Sequence, residues 1–287
     1  MRFLRQLLSN NMDPLQTHRM IATAEHANLR GDYRHANADF TVVQDWDAYG
    51  PAEHELYRRL YARQSKLVPH YACPEFNRSL ARLDSALAIP RFAAVSPRLR
   101  AATGWEIVAV PGLIPDDAFF THLANKRLPV TVWLRKPEEF DYIVEPDVFH
   151  DFFGHVPLLF DPQYADHLCE YGKGGLKALR LDGLTYLARL YWHTIEFGLT
   201  RTPQGLRAYG AGLISSGGEL AHAIDGAGPA RMNLDVLTAM RTPYRIDSYQ
   251  ETYFVIDSFA QLLEDTAPDF TPHYAALKST AVKSGSE

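Results

Sequence analysis

Apolar positions recur along most of this chain with a helical period, and only in short stretches with the period of a strand. Over residues 53–67, Leu56, Leu60, Tyr61 and Leu67 fall at helical spacing with charges between them, which predicts an amphipathic surface helix. Over 182–200, the stripe Leu184, Leu187, Tyr191, Ile195 and Gly198 is backed by aromatic residues on most other sides, so a buried helix is expected. β-branched residues cluster between turn formers at 105–110 and 130–134, and two short strands are predicted there. Neither a βαβ alternation nor a run of evenly spaced strands is visible. The expected fold class is mainly α, a single helical domain with a few short β-strands.

The same pattern divides the chain. Residues 1–40 are rich in His, Asn, Arg and Asp without a sustained apolar period, and are expected to form a loosely ordered N-terminal arm; Met12 and Met20 offer alternative starts. Apolar density is high over 41–277, with no Pro/Gly/Ser linker long enough to separate two cores, and 278–287 reads as a flexible tail. Composition adds exclusions. With 46% hydrophobic and 22% charged residues among 287, disorder is ruled out for most of the chain. Lys and Arg total 29 against 34 Asp and Glu, so no positive excess is available for a nucleic acid. Cys73 and Cys169 stand far apart without ligand spacing and read as buried free thiols. No secretory leader pattern and no stretch of about 20 apolar residues occurs, so a cytoplasmic protein without a membrane partner is expected.

Motif searches narrow the chemistry. The glycines of 172–175 and 210–218 match neither the dinucleotide fingerprint nor the phosphate-cradling loop, Ser215 and Ser216 lack a nucleophile elbow, and no His-Glu-x-x-His is present. The informative segment is Glu-Pro-Asp-Val-Phe-His-Asp-Phe-Phe-Gly-His-Val-Pro over 145–157, which sets His150 and His155 five residues apart among phenylalanines. On a straight α-helix such residues diverge by about 140° and do not share a metal. Convergence therefore calls for the helix to break near His155, where Gly154 and Pro157 favour it, with Pro146 in its first turn. A third ligand is suggested by Glu196, since a carboxylate in the aromatic segment 191–199 is costly without a cation. His193 is an alternative ligand, Arg189 an alternative partner for Glu196, and Glu219 with His222 forms a lone Glu-x-x-His pair of the di-iron kind. Two imidazoles and a carboxylate on one face suit non-haem iron(II) oxygenases. The same donors make an open zinc site for hydrolysis, or a structural metal staple in a binding module.

Together with Tyr-Trp-His-Thr-Ile-Glu-Phe-Gly-Leu over 191–199 and Ala-Tyr-Gly-Ala-Gly-Leu-Ile-Ser-Ser-Gly-Gly-Glu over 208–219, the segment resembles the catalytic domain of the tetrahydropterin-dependent aromatic amino acid hydroxylases, its bacterial phenylalanine-hydroxylating members most of all. The resemblance covers about 45–277, including the stretches 70–77 and 110–114, and makes 41–277 the catalytic domain. It implies Fe(II) held by His150, His155 and Glu196, and a tetrahydrobiopterin-like tetrahydropterin as the second two-electron donor. Gly112, Leu113, Ile114 and Phe119 match the family's pterin platform, and Asp151 its acidic residue near the pterin. Arg135 matches the arginine that holds the amino acid's carboxylate, a task its guanidinium fork suits. Ser215 matches a residue that orients a ligand histidine beside the substrate. Pro146, Trp192 and Gly212 then form the slot for the substrate ring.

Trp192, and the apolar Ile246 in the place where a tyrosine-selective member is expected to carry an acid, imply L-phenylalanine rather than tryptophan or tyrosine as the substrate, with O2 as co-substrate and L-tyrosine as product. Tyrosine and tryptophan hydroxylation remain the alternatives within the family. Ile143 departs from the hydroxyl residue that animal members carry beside the carboxylate. The family's regulatory domain and heptad tail have no counterpart in the sequence, and a constitutive monomer is expected.

Overall fold

The computed structural model describes residues 29–246, 248–267 and 269–284. The first α-helix among the described residues, α1 (Pro51–Tyr71), outruns its predicted span at both ends. Pro51 starts it with no N–H to satisfy, the Gly50 N–H donates to Glu53 Oε2 at 2.8 Å, and the predicted stripe turns Leu56 and Leu60 into the core. Helices α2 (Pro74–Leu80) and α3 (Phe92–Thr103) follow.

Strand β1 (Glu106–Val110), helix α4 (Asp116–Ala124) and strand β2 (Arg127–Thr131) then form a βαβ unit, the strands running parallel with Glu106 opposite Arg127. The patterning had shown no such unit. Strands of five residues and a helix of nine are shorter than the 11 to 18 residues over which a period registers. β2 also lies earlier than the predicted strand, because its register with β1 ends at Thr131.

Helix α5 (Pro162–Arg180) contains the glycines of 172–175 and buries Tyr164, Leu168 and Tyr171 at the centre of the molecule. The predicted helix over 182–200 is three elements: α6 (Leu184–Tyr191), one turn of π-helix over Trp192–Glu196, and strand β3 (Leu199–Thr202). β3 forms a hairpin with β4 (Gly205–Ala208). Helices α7 (Ala211–Ser215) and α8 (Glu219–Asp225), strand β5 (Ala230–Asn233), helix α9 (Val236–Arg241), strand β6 (Thr252–Ile256) and helices α10 (Phe259–Thr266) and α11 (Thr271–Ser284) complete the order. The second sheet runs β4-β3-β6-β5, with β6 parallel to both β3 and β5. Only β6 carried an apolar run; β3 and β5 each expose an arginine or asparagine.

One cluster of buried side chains joins Leu56 to Leu277, so the helical body with its short strands has a single core. Residues 29–40 of the expected N-terminal arm lie against it: the Asp39 carbonyl meets His122 Nε2 at 2.8 Å, and Tyr33 Oη donates to the Leu113 carbonyl at 3.0 Å. Residues 1–28 of that arm, and 285–287 of the expected tail, lie outside the described residues, while 278–284 continue α11. Both cysteines are buried free thiols. No helix among the described residues is long and apolar enough to cross a membrane.

Candidate metal centre

His150 and His155 converge without the expected helix break. Residues His150–His155 form one turn of π-helix, in which the hydrogen bond reaches five residues instead of four. The wider turn returns side chains five apart to the same side, and the two rings stand 5.3 Å apart at 86°. Pro157 then opens a short 3₁₀ turn, and Asp147, not Pro146, caps the start, its Oδ1 accepting the His150 N–H at 2.9 Å. Glu196 ends a second π turn, closed by the Phe197 N–H donating to the Trp192 carbonyl at 2.8 Å. Close backbone approach locks the two turns onto α7. A Cβ on Gly154 would lie 3.0 Å from the Ala211 side chain, and one on Gly210 only 2.4 Å from the Glu196 carbonyl oxygen.

The carboxylate of Glu196 divides its oxygens, Oε1 lying 3.3 Å from His155 Nε2 and Oε2 3.6 Å from His150 Nε2. One donor atom from each residue lies within 4.8 Å of the other two, the one such group of three among the described residues. Donors held about 2.1 Å from an ion on an octahedral face are roughly 3 Å apart, so the spacing fits a metal. Ser215 sets the tautomer of His150: its hydroxyl donates to the Ala211 carbonyl at 2.8 Å and so accepts the Nδ1 proton at 2.8 Å, leaving the Nε2 lone pair facing Glu196. Burial lowers the pKa of His150. Burial opposes charge on Glu196 and His155 too, but their proximity overrides it, holding the carboxyl down and the imidazole up. The alternatives lie elsewhere. His193 Nε2 meets the Thr242 carbonyl at 3.1 Å, Arg189 donates to the Met240 and Arg241 carbonyls, and Glu219 and His222 are absent from the three-residue group.

The centre opens into a cavity of about 420 Å³. Leu113, Phe119, Arg135, Pro146, Asp151, Trp192, Gly212 and Ser215 all line it with the three ligands; Gly112 and Ile114 do not. Ile114 is packed in the core, and Gly112 lies beneath Arg30 and Tyr33. Arg135 is buried and commits Nε and Nη2 to Asp147 at 2.8 and 3.0 Å, which leaves Nη1 for the cavity. Asp151 accepts the Thr131 N–H at 2.8 Å, and burial raises its pKa. Trp192 is sandwiched between Phe197 at 4.6 Å and Tyr244 at 4.3 Å, so it offers the cavity an edge and not a face.

Sequence reasoning passed over Asp147, which joins Arg135 to His150. Its position three residues before a helical histidine, where helix-capping aspartates sit, was the available signal. Glu219, weighed only as half of a di-iron pair, is in fact a buried member of the cavity wall.

The family model for biopterin-dependent aromatic amino acid hydroxylases matches residues 14–273. A phenylalanine-4-hydroxylase of Chromobacterium violaceum is 56% identical over 258 residues, covering 90% of this chain and 86% of its own length. One of Ralstonia nicotianae is 56% identical over 240 residues, covering 83% and 77%. The crystal structure of the C. violaceum phenylalanine hydroxylase bound to cobalt matches with a TM-score of 0.83 at 56% identity, covering 85% of this chain and 88% of that one. With the fold, the three-donor face and a family match over residues 14–273 all pointing the same way, this chain belongs to the biopterin-dependent aromatic amino acid hydroxylases.

Proposed function

We propose that the protein is a phenylalanine 4-monooxygenase, converting L-phenylalanine and O2 to L-tyrosine with iron and a tetrahydropterin. One observation carries the reading: a two-histidine, one-glutamate face opens into an aromatic-walled cavity that also holds an arginine with a free Nη1. In this reading His150, His155 and Glu196 hold the iron. Leu113, Phe119 and Asp151, with the backbone of Gly112 and Ile114 behind them, form the pterin side. Arg135, Pro146, Trp192, Gly212 and Ser215 form the substrate side.

When bound, iron and pterin supply O2 activation and the two electrons that the ring does not give. The chain's own residues supply position. Arg135 takes the amino acid's carboxylate through Nη1 while Asp147 keeps the guanidinium from rotating. The indole edge of Trp192 and the rings of Pro146 and Phe197 confine the substrate ring, and the apolar wall keeps bulk water from the reacting carbon. Ser215 holds the His150 ring in one tautomer throughout.

Aerobic turnover with reduced pterin tests this. Tyrosine formation dependent on ferrous iron is expected, with phenylalanine preferred over tyrosine and tryptophan. Activity restored by zinc in the absence of O2 would instead establish the hydrolase alternative, for which no polar helix of the hydrolytic kind flanks His150. The proposed working form is a cytoplasmic monomer, and a sedimentation profile of a stable tetramer would reject it.

A further inference from the structure

Phenylalanine enters as a zwitterion, and the site above provides for only one of its two charges. An ammonium group withdrawn from water into an apolar cavity needs an anionic partner, or the desolvation cost stands uncompensated. Four carboxylates line the cavity: Asp141, Asp151, Glu196 and Glu219. Asp141 is 92% exposed at the rim, where it pairs with Arg63. Asp151 belongs to the β2 side, tied to the Thr131 N–H, and Glu196 faces the two histidines.

Glu219 is different. It heads α8, shortly after Gly212 and Ser215 of α7 and the following Ser216, which line the same cavity, and it is 7% exposed. Its Oε1 accepts both the Gln250 N–H and the Tyr253 hydroxyl, each at 2.8 Å. No lysine, arginine or histidine pairs with its carboxylate among the described residues. Two neutral donors on one oxygen orient the group without discharging it.

We infer that Glu219 receives the α-ammonium group of the substrate, opposite the Arg135 guanidinium that receives its carboxylate. The inference rests on the hydroxylase reading above and names a specificity determinant within it: the pair selects α-amino acids against arylalkanoic acids of the same shape. Burial pushes the Glu219 carboxyl up to about 7, as fits a carboxylate whose cationic partner arrives with the ligand. Tyr253 is then a positioning residue that aims the carboxylate.

The experiment measures binding of L-phenylalanine and 3-phenylpropionate, which lacks the ammonium, to the iron-loaded, pterin-bound enzyme and to Glu219→Gln, alongside steady-state turnover. The wild type is expected to prefer phenylalanine by at least tenfold. In Glu219→Gln, Kd and KM for phenylalanine rise by about 30-fold or more, as for a buried charge pair losing one partner. Binding of 3-phenylpropionate and KM for the pterin stay unchanged. An equal loss for both ligands, or no loss for phenylalanine, overturns the assignment. So does a wild type that binds both ligands equally well, a result that does not depend on the variant folding. Tyrosine formation by the wild type is scored in the same assay. Its absence overturns the hydroxylase reading, whereas normal wild-type turnover with unchanged phenylalanine affinity in the variant overturns only the ammonium site.

Discussion

Glu196 and Glu219 are two buried glutamates on the wall of one cavity, and their surroundings shift their carboxyl groups in opposite directions. At the Glu196 end, the His155 imidazole 3.3 Å away offsets the cost of burial and holds the carboxyl below its ordinary pKa. At the Glu219 end, the nearest partners are an amide N–H and a phenol, and burial prevails, pushing the carboxyl up to about 7. Identical side chains at similar burial are thus set apart by the charge of their neighbours alone. The first end is organised around an ion that stays, the second around a charge that comes and goes with each turnover.

Glu196→Ala breaks the comparison most severely. Iron content is expected to fall to background and turnover to drop by more than the roughly 10–100-fold typical of outer-shell partners. Glu219→Ala, measured in parallel by metal analysis, should retain wild-type iron. If the Glu219 variant lost its iron as well, the two ends would be one functional unit.

Asp147 joins the metal end to the substrate-binding arginine, taking the Arg135 guanidinium and the His150 N–H on the same carboxylate. Burial alone would raise its pKa, but Arg135 overrides that and holds it below the ordinary value. Asp147→Asn leaves Arg135 charged and buried without an anion, so unfolding free energy should fall by about 3 kcal/mol in denaturant titrations. Ser215→Ala acts mainly on the metal end. With no acceptor at 2.8 Å to fix the tautomer of His150, iron affinity should weaken by about 10–100-fold, while the affinity for phenylalanine changes less. A Ser215→Ala enzyme with full iron affinity would show that the hydroxyl does not orient the ring.

The metal ligands were legible because their cost was: histidines among phenylalanines and a glutamate in an aromatic helix demand compensation wherever the chain folds. The device that unites them was not. A π turn differs from an α turn by one residue of hydrogen-bond reach, which no residue type at 150–155 or 192–196 announces, so a helix break was expected in its place. The long helix α1 and the buried stripe of α6 follow from periodicity, whereas α5, with glycines at 172, 174 and 175, was not anticipated. The strands β3, β4 and β5 do not, since four residues apiece, each with an arginine among them, are held by their neighbours in the sheet and not by a pattern of their own. The place of Glu219 in the cavity wall was missed for a similar reason. Spacing to His222 suggested a pair, but the side chain is claimed by Gln250 and Tyr253, which are distant in sequence.

The smallest expected effect sharpens the comparison in the ligand-free protein. The Glu219 carboxyl has an ordinary pKa of 4.5 and a folded value of about 7, so the folded state holds its proton more tightly than the unfolded chain does. Stability from this group is therefore present in full below pH 4.5 and is lost as pH rises through 7, where the carboxylate ionises inside the wall. Glutamine keeps an acceptor for Gln250 and Tyr253 and never ionises. Glu219→Gln should accordingly be the more stable protein at pH 8, by about 1–3 kcal/mol, with the gap closing toward pH 5. Urea titrations of both proteins at several pH values read the difference directly. A gap that stays constant across that range would mean that Glu219 already has a cationic partner in the free enzyme, and the contrast with Glu196 would be lost.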